Sequence, residues 1–383
     1  MAEAELPVRI LLNTKMLMCA HKSGIGYYVF NLRKELLKAG VDVVPTLDDR
    51  SVSLMSSVGK TSARLRASFG KFYPPFIKRV GEAAYRYLHK KDTAVSAYDL
   101  YHETSLEPMP VIQTRSVCSI YDLSVMRFPG FFPEDFAERA LRNMIKNASE
   151  ARRIIVNTSF IREEVREILK VPDERIDVIP LAASDFCGEV LHPSVRSEDI
   201  KKFTEKDYVL FVGTVEPRKN LKTLIKAFKE VRAKHDVALI IAGGFGWLYD
   251  DIISYPEKLG LGKDVIFTKY VDERTILSLY QFASVFVYPS VYEGFGMPPL
   301  EAMACGAPVV VSDIPPHREV SGDAALYFTS EDHGALSDAI VRLLSSESLR
   351  TEMRQRGLRK ANEYSWRRVA ADTIRTYEKA LNN

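Results

Sequence analysis

Residues 208–221 read Y-V-L-F-V-G-T-V-E-P-R-K-N-L, and this stretch decides the fold. Its first five residues are continuously apolar, and they are followed by a glycine, a polar turn and a helical stretch that begins near Asn220. A strand that is apolar on both faces is buried on both faces, which is typical of a parallel strand covered by helices. We therefore predict a strand, turn and helix of an α/β domain here.

Eleven further runs of this kind occur, six before residue 182 and five after residue 236, with helical stretches between many of them. A chain of 383 residues is too long for one ordinary core. We predict an α/β protein with two doubly wound, Rossmann-like domains that face a deep cleft, since ligands of such sheets bind beyond the carboxyl ends of the strands. The polar stretch 183–206 is the predicted linker, which places the domains at 1–200 and 201–363.

The composition excludes several classes of protein. The formal net charge of +3 gives no global reason to expect a nucleic-acid partner. The acidic amino terminus lacks an apolar signal core and no run of 18 apolar residues occurs, so we expect a cytoplasmic protein. The four cysteines form no C-x-x-C pair, which fits a reducing compartment. Because Asp-x-Asp and H-x-x-x-H are both absent, no metal site is predicted.

Two cations, Arg218 and Lys219, lie at the junction between the predicted turn and helix of the opening stretch. An arginine fork and a lysine ammonium at such a junction can neutralise a diphosphate leaving group. The alternative interpretation is a solvated pair of surface charges. The functional interpretation is favoured because a second suggestive segment follows another strand of the same domain.

That second segment is E-G-F-G-M-P-P-L-E, residues 293–301. Gly294 and Gly296 allow backbone N–H groups to approach a ligand, and the two prolines suit the first turn of a helix, whose N-terminus attracts phosphate. Glu293 and Glu301 would be repelled by phosphate, so we expect them to accept hydrogen bonds from sugar hydroxyls. The segment therefore predicts a sugar-nucleotide site.

Two segments of the first half are ambiguous. The stretch S-G-I-G-Y-Y puts Gly24 and Gly26 at a strand-to-helix turn, but the third glycine of a dinucleotide fingerprint is missing. Residues 60–92 carry nine Lys or Arg with interleaved aromatic residues. One interpretation of 60–92 is a peripheral contact with anionic lipid headgroups, and the other is a loop and helix with a solvated charged face.

With these motifs, the chain resembles the retaining nucleotide-sugar glycosyltransferases of family 4, which have the GT-B fold. The resemblance is specific from residue 208 to residue 328 and looser in the first half. The motifs that carry it are G-T-V-E-P-R-K-N-L (213–221), I-I-A-G-G-F-G-W (240–247), Y-V-D-E-R-T-I-L-S-L-Y (270–280), the segment around E-G-F-G-M-P-P-L-E, E-V-S-G-D-A-A-L-Y-F (319–328), S-G-I-G-Y-Y (23–28), I-Y-D-L-S-V-M-R-F-P (120–129) and I-I-V-N-T-S-F (154–160).

The resemblance implies a role for each matching residue. Glu293 would lie near the donor sugar, Glu301 would hold the ribose, and Arg218 and Lys219 would bind the diphosphate. The other implied donor contacts are Phe295, Gly296 and Met297 through their backbone, Tyr270 and Val271 beside the base, and Gly24 and Gly26 from the opposite domain. The resemblance also implies that the first domain binds the acceptor and the second the nucleotide-sugar donor, and that a helix covering about 364–383 returns to the first domain.

The chain departs from the family pattern at two places. The family commonly has an arginine directly after the glycine of the phosphate loop, where this chain has Thr214. The common His-Asp pair of the first domain is here Tyr121 and Asp122. We count Asp122 with Glu293, Arg218 and Lys219 as the catalytic candidates, and Tyr121 and Thr214 with the donor-binding ones.

We predict a metal-independent, retaining glycosyltransferase without a cofactor that moves a hexose such as mannose from a nucleoside diphosphate sugar, GDP rather than UDP, to a saccharide or lipid-linked saccharide. An epimerase or hydrolase of the same fold is the first alternative and would consume the donor without an acceptor. A dinucleotide-dependent oxidoreductase is disfavoured by the missing third glycine. A sugar-nucleotide-binding regulator finds no support in the intact acids and cations of the site.

Overall fold

The structure is a computed structural model that describes residues 8–18, 24–46, 98–109, 115–188 and 198–382. Its twelve strands coincide with the twelve apolar runs of the sequence, so that prediction is confirmed. The strands are β1 (Arg9–Leu12), β2 (Asp42–Pro45), β3 (Leu100–Glu103), β4 (Arg115–Ile120), β5 (Arg153–Val156), β6 (Ile176–Val178), β7 (Tyr208–Val212), β8 (Ala238–Ala242), β9 (Val265–Lys269), β10 (Val285–Tyr288), β11 (Val309–Ser312) and β12 (Ala325–Phe328).

Helices connect these strands and cover the sheets. The described helices are α1 (Gly24–Lys38), α2 (Ser124–Arg127), α3 (Glu134–Glu150), α4 (Ser159–Ile168), α5 (Glu198–Lys201), α6 (Leu221–Lys234), α7 (Asp250–Ile253), α8 (Tyr255–Lys258), α9 (Glu273–Phe282), α10 (Met297–Ala304), α11 (Pro315–Ser321), α12 (His333–Ser345), α13 (Glu347–Ala361) and α14 (Trp366–Asn382).

The strands form two separate six-stranded parallel sheets, as predicted. The first sheet has the order β2-β1-β3-β4-β5-β6 and the second β12-β11-β10-β7-β8-β9. The strand order reverses between β1 and β3 in the first sheet and between β7 and β10 in the second. Each reversal leaves a crevice at the carboxyl ends of the strands. The central strand β7 is almost fully buried, in agreement with its continuous apolar run.

Helix α14 returns to the first sheet, where it packs against α1 and strands β3, β4 and β5. A buried polar network fixes it there. The Tyr377 hydroxyl lies 2.7 Å from Nδ1 of His102, whose Nε2 lies 2.9 Å from Oγ of Ser119. Burial lowers the pKa of His102 to about 3, so the ring is neutral and needs one donor and one acceptor. The exact domain boundaries, 1–200 and 201–363, stay a prediction.

Two further predictions concern membranes. Within the described ranges, no helix has both the length and the apolar character that a membrane span requires. The basic segment 60–92 lies outside the described residues, so its contact with anionic lipid stays a prediction.

We expect Tyr377→Phe to lower the free energy of unfolding by about 1–3 kcal/mol, because it leaves a buried ring nitrogen of His102 without its partner. Urea denaturation followed by circular dichroism measures this. Arg375→Ala on the same helix is the control, because Arg375 pairs with Asp372 at the surface, and it should change stability by no more than about 0.5 kcal/mol. Equal stability of both variants would show that the polar network does not hold α14.

Candidate active site

The turn between β7 and α6 is held rigidly against the end of β10. Pro217 begins a short 3-10 turn, and Asn220 precedes α6 in the left-handed conformation with φ 54°. The Asn220 amide donates hydrogen bonds to the backbone oxygens of Pro289 (3.2 Å) and Ser330 (2.5 Å). The turn therefore presents Arg218 and Lys219 at the carboxyl edge of the second sheet, where the sequence predicts them.

Glu293 lies between these two cations in a buried ion cluster. Its carboxylate oxygens are 3.0 Å from Nη1 of Arg218 and 2.6 Å from Nζ of Lys219. Arg218 also pairs with Glu216 at 2.8 Å, and Lys219 donates to the Tyr288 hydroxyl at 2.7 Å. Glu293 is only 7% exposed and Lys219 only 6%. The cations are thus already neutralised by two carboxylates, a pairing that the sequence did not reveal.

The charges of this ion cluster determine one another. Burial alone would raise the pKa of Glu293, but Arg218 and Lys219 outweigh burial and hold the pKa well below the usual range. Burial and the adjacent guanidinium lower the pKa of Lys219, and Glu293 opposes that shift. Glu293 is therefore a carboxylate at every physiological pH, and it cannot serve as a proton donor.

Glu301 lies in a different electrostatic environment on α10. It is 8% exposed, and its oxygens accept hydrogen bonds from the hydroxyls of Ser184 (2.5 Å) and Tyr280 (3.1 Å). Within the described residues, Glu301 forms no ion pair, whereas Glu293 pairs with Lys219. Burial raises its pKa, and the two hydroxyls only partly oppose this shift. The two glutamates, for which the resemblance implies different roles, therefore also differ in their electrostatics: the pKa of Glu293 is lowered and that of Glu301 is raised.

The two glycines of the segment serve different purposes. A Cβ at Gly294 would lie 1.7 Å from the backbone oxygen of Tyr121, so this glycine admits the first domain rather than a ligand. Gly296 has φ 92° and precedes α10, whose second and third residues are the predicted prolines. A Cβ there would lie 3.1 Å from the His317 ring. Gly296 thus places the N-terminus of an eight-residue helix at the site, where Met297 keeps its backbone N–H and the two prolines after it have none.

A contact across the cleft brings one of the two predicted first-domain glycines, Gly24, to the same helix. Gly24 begins α1, and the Met297 sulfur lies 3.9 Å from the position of a Cβ at Gly24. Gly26, the third residue of α1, is buried. Near them, the Tyr27 hydroxyl donates to Glu273 of the second domain at 2.9 Å.

Tyr121 and Asp122 lie at the domain interface, and the polar groups of both side chains already make hydrogen bonds within the protein. The Tyr121 hydroxyl donates to the backbone oxygen of Thr104 at 2.9 Å. Asp122 accepts from the backbone N–H (2.9 Å) and hydroxyl (2.5 Å) of Ser124. Its charge helps to raise the pKa of Arg218, although burial of the guanidinium opposes this and Glu293 contributes more. Asp122 is therefore close to the ion cluster, and its catalytic role stays a prediction.

The remaining predicted residues surround the site at larger distances. Thr214 is exposed and lies beside Gly246. The Phe295 side chain is buried and meets Tyr364 edge-on, so only its backbone is available to a ligand. Tyr270 is 44% exposed at the end of β9, and Val271, which follows it, packs against the core.

Four residues of the site were missed or undervalued by the sequence reasoning. Glu216 stands inside the quoted G-T-V-E-P-R-K motif, and Tyr288 ends an apolar strand, where it looks like core. The Tyr292 hydroxyl accepts from the backbone N–H of Leu123 at 3.0 Å and donates to Glu164, which locks the loop before Glu293 onto the first domain.

His317, the fourth of these, is 1% exposed. Its Nδ1 donates to the backbone oxygen of Ser312 at 2.9 Å, which leaves Nε2 as an acceptor without a partner among the described residues. Burial lowers the pKa of His317 to about 4, so its ring is neutral.

The arrangement combines an anion site with acceptors for hydroxyl groups. Arg218, Lys219 and the N-terminus of α10 can hold a diphosphate, while Glu301 can accept hydrogen bonds from a ribose. In the described part of the chain, no group of three or more His, Cys, Asp or Glu residues is placed to hold a metal ion.

Two family models match most of the chain. The model of the glycosyl transferases group 1 matches residues 195–360, and the model of glycosyltransferase family 4 matches residues 22–183.

Individual proteins match over most or nearly all of the chain. The O-antigen chain mannosyltransferase B of Escherichia coli is 32% identical over 381 residues, which cover 93% of this chain and 96% of the relative. The O-antigen chain mannosyltransferase RfbU of Salmonella typhimurium is 29% identical over 62% of this chain and 63% of the relative. The solved structure of Anabaena HepE in complex with UDP and glucose has a TM-score of 0.70 at 17% identity, and the match covers 97% of this chain and 100% of that one.

We expect Gly294→Ala to lower the free energy of unfolding by about 1–3 kcal/mol, since its Cβ would overlap the Tyr121 carbonyl unless the domains move apart. Thermal unfolding measures the loss, and small-angle scattering should show a larger radius of gyration. Gly130→Ala is the control, because nothing lies within 4 Å of a Cβ there. A Gly294→Ala protein as stable and compact as the control would refute the close approach.

The raised pKa of Glu301 has a definite sign for stability. The folded state prefers the protonated acid, so the ionised carboxylate costs stability above the folded pKa, and this cost disappears as the pH falls through it. We expect Glu301→Gln to be at least as stable as the unmodified protein at pH 7.5, with a difference that shrinks towards acid pH. Thermal midpoints against pH test this, with exposed Glu331→Gln as the control. A large destabilisation by Glu301→Gln at pH 7.5 would contradict it.

Proposed function

The chain belongs to family 4 of the glycosyltransferases, and on this premise we propose that it transfers mannose from GDP-mannose to a mannose-ended saccharide or lipid-linked saccharide, with retention of the anomeric configuration. The mannosyl part rests on the two O-antigen chain mannosyltransferases to which the chain is similar. The observation that carries the donor part is the buried ion cluster of Glu293, Arg218 and Lys219 beside the N-terminus of α10.

In the proposed reaction, the bond between C1 of the sugar and the diphosphate oxygen breaks. Negative charge develops on the leaving diphosphate and positive charge on the sugar ring. Arg218, Lys219 and the positive N-terminal end of α10 stabilise the diphosphate, and because they are fixed before the reaction they need little reorganisation. Glu293, a permanent carboxylate beside them, stabilises the positive sugar.

Retention follows if the acceptor hydroxyl attacks from the face that the diphosphate leaves. The acceptor proton then passes to a diphosphate oxygen, so no protein base is required. This agrees with the low pKa of Glu293, whose carboxylate is held by two cations and is a poor proton acceptor.

The role of Glu301 as the ribose anchor is supported by its energetics. Burial makes the ionised form of Glu301 unfavourable, so this carboxylate does not stabilise the fold. A buried acid of this kind is more typical of a ligand-binding site. Its bonds to Ser184 and Tyr280 leave acceptor capacity on both oxygens for ribose hydroxyls.

The test of the proposed function is a direct assay. GDP-, UDP-, ADP- and dTDP-sugars are compared in a thermal-shift screen, since a tight ligand raises apparent stability. GDP-mannose is then incubated with methyl α-mannobioside, and the linkage of the product is read by NMR. We expect an α-linked trisaccharide. Stabilisation by UDP-sugars alone, or consumption of the donor without transfer, would overturn the proposal in favour of another donor or of a hydrolase.

We expect Lys219→Ala to weaken GDP binding by about 1.5–3 kcal/mol, the value of a charge-assisted hydrogen bond. Isothermal titration calorimetry measures this. Lys222→Ala is the matched control, because Lys222 lies three residues further along the chain at the surface, where it contacts exposed Asp251 and the Tyr255 ring. Unchanged GDP affinity in Lys219→Ala would remove this residue from the diphosphate site.

A further inference from the structure

Five aromatic side chains form two neighbouring groups of contacting rings where the two domains meet, and together we call them the aromatic wall: Phe128 with Phe131, and Phe132 and Phe136 with Trp247. Phe128 and Phe131 stack at 5.3 Å between ring centroids, and Phe132 and Phe136 stack at 5.9 Å. Trp247 lies 5.5 Å from Phe132 and 5.0 Å from Phe136. The four phenylalanines follow β4, whereas Trp247 follows β8, so the wall joins the two domains.

The aromatic wall borders the ion cluster at two points. At one end, Phe128 lies 5.5 Å from Tyr292, the residue before Glu293, and the Tyr292 backbone oxygen accepts from Arg218 at 3.1 Å. At the other end, Gly246 precedes Trp247 and lies against Thr214, in the loop that leads to Arg218. A group held on the wall is therefore beside the place where the diphosphate would leave.

The chemistry of the wall favours a neutral ring with one apolar face. All five side chains are partly exposed, and Phe128, Phe132 and Phe136 also pack against the hydrophobic core of the first domain. Aromatic faces bind apolar C–H surfaces, and Trp247 alone among the five rings also has a polar group, its indole N–H. The indole N–H of Trp247 has no acceptor among the described residues, whereas that of Trp366 donates to the Ala183 backbone oxygen at 2.8 Å. A pyranose offers both a C–H face and hydroxyl acceptors.

We propose that the aromatic wall is the acceptor subsite, on which the terminal pyranose ring of the acceptor saccharide stacks with Trp247 as its main contact. Four of the five rings come from the first domain, opposite the elements that hold the diphosphate cations. The inference rests on the proposed glycosyl transfer. A nucleobase of the donor stacking here, or a wall that only clasps the domains together, are the competing outcomes.

The experiment compares Trp247→Ala and Trp247→Phe with the unmodified enzyme, using GDP-mannose as donor and methyl α-mannobioside as acceptor. We expect Trp247→Ala to raise the KM for the disaccharide on the order of tenfold, as for loss of an aromatic stacking partner. The KM for GDP-mannose and the rate of its slow hydrolysis without acceptor should change by no more than about twofold. The thermal midpoint should change by no more than a few degrees. Trp247→Phe should retain most of the acceptor affinity. Leu248→Ala, at the neighbouring 56%-exposed residue, is the control.

A binding measurement tests the subsite without turnover. The chain has two tryptophans, so an emission change on adding methyl α-mannobioside that is present in the unmodified protein and absent in Trp247→Phe reports on Trp247. We expect a saturable change that GDP does not abolish.

Three results would overturn the proposal. They are an unchanged KM for the disaccharide in Trp247→Ala, a raised KM for GDP-mannose instead, and equal losses of transfer and of donor hydrolysis with a lowered thermal midpoint. Failure of the proposed function is distinguishable from these, because the unmodified enzyme would then not transfer mannose from GDP-mannose to the disaccharide, while the emission measurement would still show whether the disaccharide binds.

Discussion

The buried carboxylate of Glu293 between Arg218 and Lys219 is the interaction on which the site depends. Removing charges from water is expensive, and the expense is offset only where each charge is closely paired and hydrogen-bonded. Here Glu216 and Tyr288 complete the pairing, so two loops that are distant in sequence are fixed to one another. The loop after β7 and the loop after β10 therefore behave as one rigid unit, from which α6 and α10 both begin.

The same interaction explains how the first domain is positioned. Because the ion cluster fixes Glu293, the adjacent residues Tyr292 and Gly294 are also fixed, and both contact the first domain. The Thr158 hydroxyl adds a bond to the Gly294 backbone oxygen at 2.9 Å. The ion cluster of the second domain thus fixes the surface on which the first domain packs. This surface lies where a donor and an acceptor would meet.

Much of this architecture could be predicted from the sequence because its determinants are local. Continuous apolar runs identify the strands, and the residue types at Arg218, Lys219 and Glu301 indicate a charged site. The partner of a charge is not a local property, so the pairing of Glu293 with the two cations could not be predicted. Gly294 shows the same limit, because the sequence indicates that a backbone must approach there but not that it belongs to Tyr121. His317 has no neighbour at ligand spacing, so nothing marked it as part of the site.

Helix α14 also has a consequence for how the molecule is made. The network of His102, Ser119 and Tyr377 completes the core of the first domain, yet the whole second sheet is synthesised before Tyr377. Domains generally fold as units during synthesis, with the amino-terminal one first. In this protein the first domain cannot complete its core until α14 has been synthesised, after the second sheet. The surface of the first sheet on which α14 packs therefore stays uncovered while the second sheet is made.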